Sequence, residues 1–266
     1  TKIKRMETYL NGDVNVLRQL TNQLDKLILG VHARITNMAM QLLSTGKIES
    51  NGNGLPYKTK FPIPTSNFKT AGATAWSDPD ALIFDDMINI EDYVINTLGY
   101  TGPKEWIVDR TTMNYILKNK QVQSMVAPII IASGIATAPT TLITESQLNA
   151  FLLEWKQVSP IRVIDSKQRE ASLGSVATVN GWAESIAVLK PAGLAGVVKY
   201  SMLEELDAVS NESNILVGYV EDGKIGIKRK FSVDKEVWST SVLAAAVPAL
   251  TEWNYHIIVD TSETES

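Results

Sequence analysis

The sequence contains no cysteine, which removes disulfides, iron–sulfur clusters, thiolate zinc sites and cysteine nucleophiles from consideration. Histidine is nearly absent. His32 and His256 are the only two, so a Ser-His-Asp triad must use one of them and a two-histidine metal site needs both. Long apolar runs are missing as well. The longest, 126–131 and 242–250, are interrupted by proline and fall well short of the ~20 residues that a membrane-spanning helix needs; they read as buried strands. Nor is there an excess of positive charge: the formal net charge is −4, against the basic face expected of a nucleic-acid binder. Phosphate-loop, His-Glu-x-x-His and Gly-x-Ser-x-Gly patterns do not occur. The pairs Gly52/Gly54 and Gly193/Gly196 are too sparse to cradle a phosphate and read as turns.

What remains is an ordinary folding composition, 44% apolar and 20% charged over 266 residues. That suffices for one large domain or two smaller ones, and it is too apolar for disorder. The chain opens at Thr1 and its first methionine is Met6. This reads as a processed or truncated product without a signal-peptide pattern.

The clearest element is a helix over 11–45. Leu17, Leu20, Leu24, Leu27, Val31, Ile35, Met38 and Leu42 recur at steps of three and four, which places them on one face. Asp13 suits the start, and Gly46 the left-handed residue after the end. Some 30 residues at 1.5 Å each give roughly 45 Å, the dimension of a coiled-coil strand or of a brace across a flat molecule. A Gly- and Asn-rich loop follows at 49–55, then a strand over 57–63. Trp76-Ser-Asp-Pro79 reads as a helix start, with Asp78 as the cap, Pro79 in the first helical position and Leu82, Ile83, Met87, Ile90, Tyr93, Val94 and Leu98 facing inward. Further on come a strand over 105–108, a helix over 111–118 and an apolar strand or packed loop over 126–136. A helix over 144–156 is capped by Thr144, and strands follow over 160–165 and 185–189. The last fifty residues read as β: strands over 215–220 and 224–231 about a turn at Asp222-Gly223, a final strand over 255–259, and a frayed polar tail over 261–266.

Reactive constellations are scarce. Asp78, Asp80, Asp85 and Asp86 suggest a cation site, but the first two read as charges at a helix start and the second pair as a solvated face. His32 has no second ligand four residues on and reads as a surface or interface residue. His256 alternates within the last strand and reads as structural. Asp165-Ser166-Lys167 after a strand is the one loop resembling an active-site loop. The six tryptophans, at 76, 106, 155, 182, 238 and 253, are spread across elements as core and interface residues. They do not form a base-stacking platform. No catalytic residue, cofactor or metal is expected.

The order of segments carries a resemblance. Arg34-Ile-Thr-Asn-Met-Ala-Met-Gln-Leu-Leu-Ser-Thr-Gly-Lys-Ile48 is similar to the end of the long helix in the lambda-type (major capsid protein E) family of tailed bacteriophages. Phe61-Pro-Ile-Pro64, Trp76-Ser-Asp-Pro79, Leu98-Gly-Tyr-Thr-Gly-Pro103, Trp106-Ile-Val-Asp109 and Tyr115-Ile-Leu-Lys-Asn119 follow in that family's order. The stretch 238–248 resembles its return to the peripheral domain. The resemblance implies an α+β, Hong Kong 97-like capsid fold. In it 1–12 is a remnant of the N-terminal arm, 13–45 the spine helix, 46–75 and 214–266 the peripheral domain, and 76–213 the axial domain. It further implies a non-enzymatic subunit of the virion capsid, assembled in the host cytoplasm as hexamers and pentamers of an icosahedral shell around double-stranded DNA. Scaffolding, portal and decoration proteins are its implied partners, and no membrane is. The assembly residues are placed at Leu17, Leu20, Leu24, Leu27, Val31, Ile35 and Met38. One departure stands out: only about 12 residues precede the helix, where the family carries an arm and an extended loop. Three alternatives stay open: an encapsulin-like nanocompartment shell protein, another phage part such as a connector, and a soluble α/β enzyme centred near Asp165.

Overall fold

The computed structural model describes residues 14–50, 57–132, 143–165, 167–172, 175–204, 206, 215–232 and 237–264. The arm remnant at 1–12, the Asp13 cap, most of the loop at 49–55, residues 133–136 of the apolar stretch, Ser166 and the end of the tail lie outside them. The chain divides into two compact units, Thr1–Thr36 with Val198–Pro248, and Asn37–Val197 with Ala249–Ser266.

The second unit is built on a five-stranded mixed sheet in the order β3 (Phe68–Ala71), β14 (Ile257–Thr264), β8 (Ile186–Pro191), β4 (Lys104–Asp109), β5 (Ile161–Ile164). The two outer pairs are parallel and the two inner pairs antiparallel. Registered rows explain the sequence of its strands. Ile161, Trp106, Leu189 and Ile257 lie side by side on one face, and Ile107, Val188 and Ile258 on the other. All are buried. A sheet covered on both faces needs apolar residues at every position, which is why Trp106-Ile-Val and Ile186-Ala-Val-Leu read as unbroken apolar runs.

Four helices cover the first face: α2 (Ile83–Asn96), α3 (Arg110–Lys118), α4 (Lys120–Ala132) and α5 (Glu145–Trp155). Phe84, Met87, Ile116, Val126, Leu148 and Leu152 are buried against the sheet residues there. Each side chain of that size contributes roughly 1.5–3 kcal/mol when fully buried, so this face holds most of the unit's stability. On the second face Ile63 and Trp182 are buried, and Met40 and Leu43 pack on them from the end of α1 (Val14–Thr45). Two hairpins accompany the sheet, β1 (Lys47–Ser50) with β2 (Tyr57–Lys60) and β6 (Lys167–Ser172) with β7 (Ser175–Asn180). In the first unit, β10 (Ile215–Val220), β11 (Ile225–Ser232) and β12 (Val237–Leu243) form an antiparallel sheet. β9 (Gly196–Tyr200) pairs with β13 (Ala246–Leu250).

Several local expectations give way. The helix expected from Pro79 begins at Ile83, and its cap position, Leu82, is exposed instead of inward. The carbonyls explain the delay. Pro79's carbonyl accepts from the backbone N–H of Lys120, and those of Pro79 and Ala81 both accept from the buried Asn119 amide. They are therefore spent before a helical ladder can use them. Asp78 caps only a local turn through the N–H of Asp80, and the Phe84 N–H is satisfied from a distance by Gln121 Oε1.

The apolar stretch beginning at 126 lies at first in helix α4, not in a strand or loop. Asn119 accepts from the Val122 N–H to start that helix, and Val122 and Val126 bury one face. Pro128 lies within it. The final strand starts at Ile257 and runs to Thr264, so the region from 261 is not frayed up to that residue. Thr261 is buried, its hydroxyl and N–H both donate to the Ser185 carbonyl, and its own carbonyl accepts from Trp76. His256 sits at the end of a 3-10 turn, before the strand and not within it.

Candidate functional site

Helix α1 carries every predicted assembly residue. At 32 residues it is roughly 48 Å long, and Gly46 ends it with φ +69° and an N–H donated to the Leu42 carbonyl at 2.8 Å. Leu17 and Leu20 lie on it, with side chains outside the described set. Along the rest of the stripe exposure falls toward the C-terminus. Leu24, Val31 and Met38 are half-buried, Leu27 is 42% exposed, and Ile35 and Leu42 are buried. Leu29, off the stripe, is 64% exposed. The helix thus shows leucine to solvent on two sides, because residues two apart are about 200° apart around an α-helix.

Where α1 meets the second unit's sheet, different positions do the packing. Met40 and Leu43 join the apolar cluster, Asn37 and Ser44 are buried, and Ser44 Oγ accepts from the Ala183 N–H. A Cβ on Gly181 would come within 3.1 Å of the Asn37 Cα and the Met40 Cβ. That close approach selects small residues, a signal an apolar periodicity does not contain.

The candidates for chemistry do not converge. His32 Nε2 lies 2.7 Å from Glu221 Oε1, both about 40% exposed. His256 is buried, and its Nε2–H donates to the Leu43 carbonyl at 2.7 Å. Burial pushes its pKa down to about 4, the Leu43 carbonyl pulls the other way, and the Lys190 charge adds to the lowering. Of the four aspartates, Asp80 pairs with Lys120 at 2.7 Å, which raises the lysine's pKa, and Asp85 is exposed. Asp86 is not on a solvated face. Its Oδ2 accepts from the indole of the fully buried Trp76 at 2.8 Å and from the Gly72 N–H at 3.1 Å. Asp165 pairs with Arg110 at 2.7 Å at the surface.

Among the described residues no three His, Asp or Glu side chains lie close enough to hold a metal. A cleft lined by Lys69, Asp86, Asn89 and Tyr93 measures about 130 Å³, below the roughly 300 Å³ at which small-molecule sites begin.

Two polar networks that sequence reasoning missed are structural. Glu91 is buried and accepts from the Trp106 indole at 3.0 Å and from the N–H and hydroxyl of Ser159, with Lys104 Nζ at 3.6 Å. Lys190, also buried, donates to Glu105 and to the carbonyls of Pro191 and Gly193. Both tie neighbouring segments to strand β4 or β8. Charged residues inside otherwise apolar text were the available signal.

No family model matches the chain, and no curated protein matches it. Solved structures do. A prophage protein of E. coli CFT073, assigned provisionally as its capsid protein, superposes with a TM-score of 0.57 at 17% identity, over 92% of this chain and 67% of that one. A phage-related protein of Bordetella bronchiseptica RB50 gives a TM-score of 0.47 at 13% identity, over 94% of this chain and 68% of that one. The chain has a mixed helix-and-sheet fold that resembles the prophage protein's across nearly its whole length.

Proposed function

We propose that this chain is a phage or prophage capsid protein, a structural shell subunit and not an enzyme. The observation that carries the reading is the likeness of fold to the E. coli prophage protein over 92% of the chain. The finer reading is a lambda-type, Hong Kong 97-like major capsid protein in the virion shell. In it α1 is the spine, 46–75 and 214–266 form the peripheral domain, and 76–213 form the axial domain. Subunits assemble in the host cytoplasm into hexamers and pentamers, close with a scaffolding protein and a portal, accept decoration proteins and enclose double-stranded DNA.

Two further features support assembly. Large apolar side chains stay exposed on both units, among them Leu29, Leu216 and Trp238 on the first and Leu82, Leu153 and Leu194 on the second, as residues that become covered on association would. The net charge of −4 suits a container that must not hold its DNA fast. Individual contacts can be weak, because closure and repetition supply avidity.

Negative-stain electron microscopy of the chain, expressed with and without a scaffolding partner, tests the reading. Closed polyhedral shells or free hexamers and pentamers are expected, and Leu24→Asp abolishes them. A monodisperse monomer under every condition overturns the proposal.

A further inference from the structure

The five-stranded sheet of the second unit has two edges, and they are finished differently. At β5 the Asn149 side chain both donates to and accepts from the main chain of Ile161, so that edge is occupied. At β3 nothing takes that place. Among the described residues, the main chain of Lys69, Thr70 and Ala71 makes no hydrogen bond beyond its ladder with β14. An edge left in this state can template a further strand.

The cleft of about 130 Å³ runs beside this edge. Its volume is roughly that of four waters, room for one side chain. Both neighbouring elements line it: Lys69 and Gly72 come from β3 and the residue after it, and Asp86, Asn89 and Tyr93 come from α2. These three recur at steps of three and four, on one side of the helix. Lys69 stands opposite Val259, on the sheet face that α2 covers, and its Nζ lies 4.0 Å from the centre of the Tyr93 ring. A free edge, a flanking helix and a side-chain cleft between them are the parts with which proteins capture extended peptides. The peptide main chain adds to the edge, and its alternate side chains enter pockets.

Charge selects the occupant. Helix α2 contains Asp85, Asp86, Glu91 and Asp92 and no basic residue. Glu91 is buried, but Asp85 and Asp92 are exposed and Asp86 is half-buried. Pairing of β3 with β3 of a second copy about a two-fold axis would set this acidic helix beside its own image, which like-charge repulsion opposes. A basic strand meets no such repulsion, except directly opposite Lys69.

We infer that this groove binds an extended basic peptide of another protein, added to the sheet alongside β3. An uncharged side chain opposite Lys69 enters the cleft, and basic residues two positions to either side share its face and meet the carboxylates of α2. This goes beyond the shell reading and does not depend on it.

The test is fluorescence anisotropy of a labelled peptide, Lys-Thr-Val-Thr-Lys, titrated with the full chain at physiological ionic strength. Saturable binding is expected. Methylating the main-chain nitrogens of one alternate set of residues should weaken it about tenfold, the loss of one well-placed hydrogen bond, while methylating the other set leaves it unchanged. Replacing the central valine by lysine should weaken binding about threefold, and Lys69→Glu should reverse that preference. Lys69 is partly exposed, so the variant reads the contact without emptying the core. No saturable binding overturns the inference and leaves β3 as an edge blunted by its shortness and its lysine. Equal loss from both methylated sets also overturns it, because attraction by charge alone ignores the alternation.

Discussion

His256 Nε2 lies 2.7 Å from the carbonyl oxygen of Leu43, binding the start of β14 to the last turns of α1. A carbonyl only accepts, so Nε2 carries a proton, and burial leaves the ring neutral. Burial favours that neutral form and holds the pKa near 4, against 6.5 for a free histidine. Above pH 6.5 neither the folded nor the unfolded chain protonates this ring, and the shift has no effect. Between 6.5 and about 4 the unfolded chain takes up a proton that the folded chain refuses. Stability therefore falls as pH drops through that window, by roughly 3 kcal/mol at its lower end. Urea midpoints of the native chain and His256→Gln, compared from pH 7 to 4, should converge as pH falls. Parallel curves would remove His256 as the cause.

Asp86 Oδ2 accepts the hydrogen bond of the Trp76 indole, which is fully buried. Asp86→Ala strands that N–H and the Gly72 N–H, at about 2–3 kcal/mol. Asp86→Asn keeps one acceptor and should lose about half as much. Thermal melts followed by tryptophan fluorescence report both, and equal melting of the two variants would count against the hydrogen bond as the source.

Replacing Glu91 by Leu leaves the Trp106 indole, Ser159 and the nearly buried Lys104 without their shared acceptor. Removing one partner of a buried charge pair costs about 3–5 kcal/mol. The double variant Glu91→Leu with Lys104→Met should regain part of that loss. Failure to regain any would show that the uncompensated lysine is not the main penalty.

Gly46 has φ +69°, and a Cβ there would sit 3.0 Å from Ile63 Cδ1. Gly46→Ala should cost about 1–2 kcal/mol through the left-handed backbone alone, and more if Ile63 cannot yield. A denaturation midpoint unchanged from the native chain would refute this.

Asn149 shields the edge of the sheet. Its amide donates to the Ile161 carbonyl at 2.9 Å and its oxygen accepts from the Ile161 N–H at 2.8 Å, imitating a neighbouring strand. Asn149→Leu opens that edge and should raise the aggregation rate on warming, since an unpaired edge templates other chains. Light scattering during a thermal ramp checks it.

The sequence by itself determined the elements whose signal is local and repeated. Leucines at helical spacing gave α1, and Gly46 marked its end. Thr144 gave the capped start of α5, to which the structure adds Gln147 as the other half of a capping box. Apolar triplets gave β4, β8 and β14 because both faces of that sheet are covered. The tertiary structure alone decided where α2 begins, since the carbonyls and amide around its start are satisfied by Asn119, Lys120 and Gln121 at the junction of α3 and α4. It turned the stretch after Val126 helical by burying one face of it, and it moved Asp86 from a solvated face to Trp76. It also chose which side of α1 meets the sheet, through the small residues Gly181 and Ser44. Local chemistry fixes a residue's preference for helix, strand or turn. Which partner satisfies its polar atoms depends on segments tens of residues away, and no periodicity in the sequence records that distance.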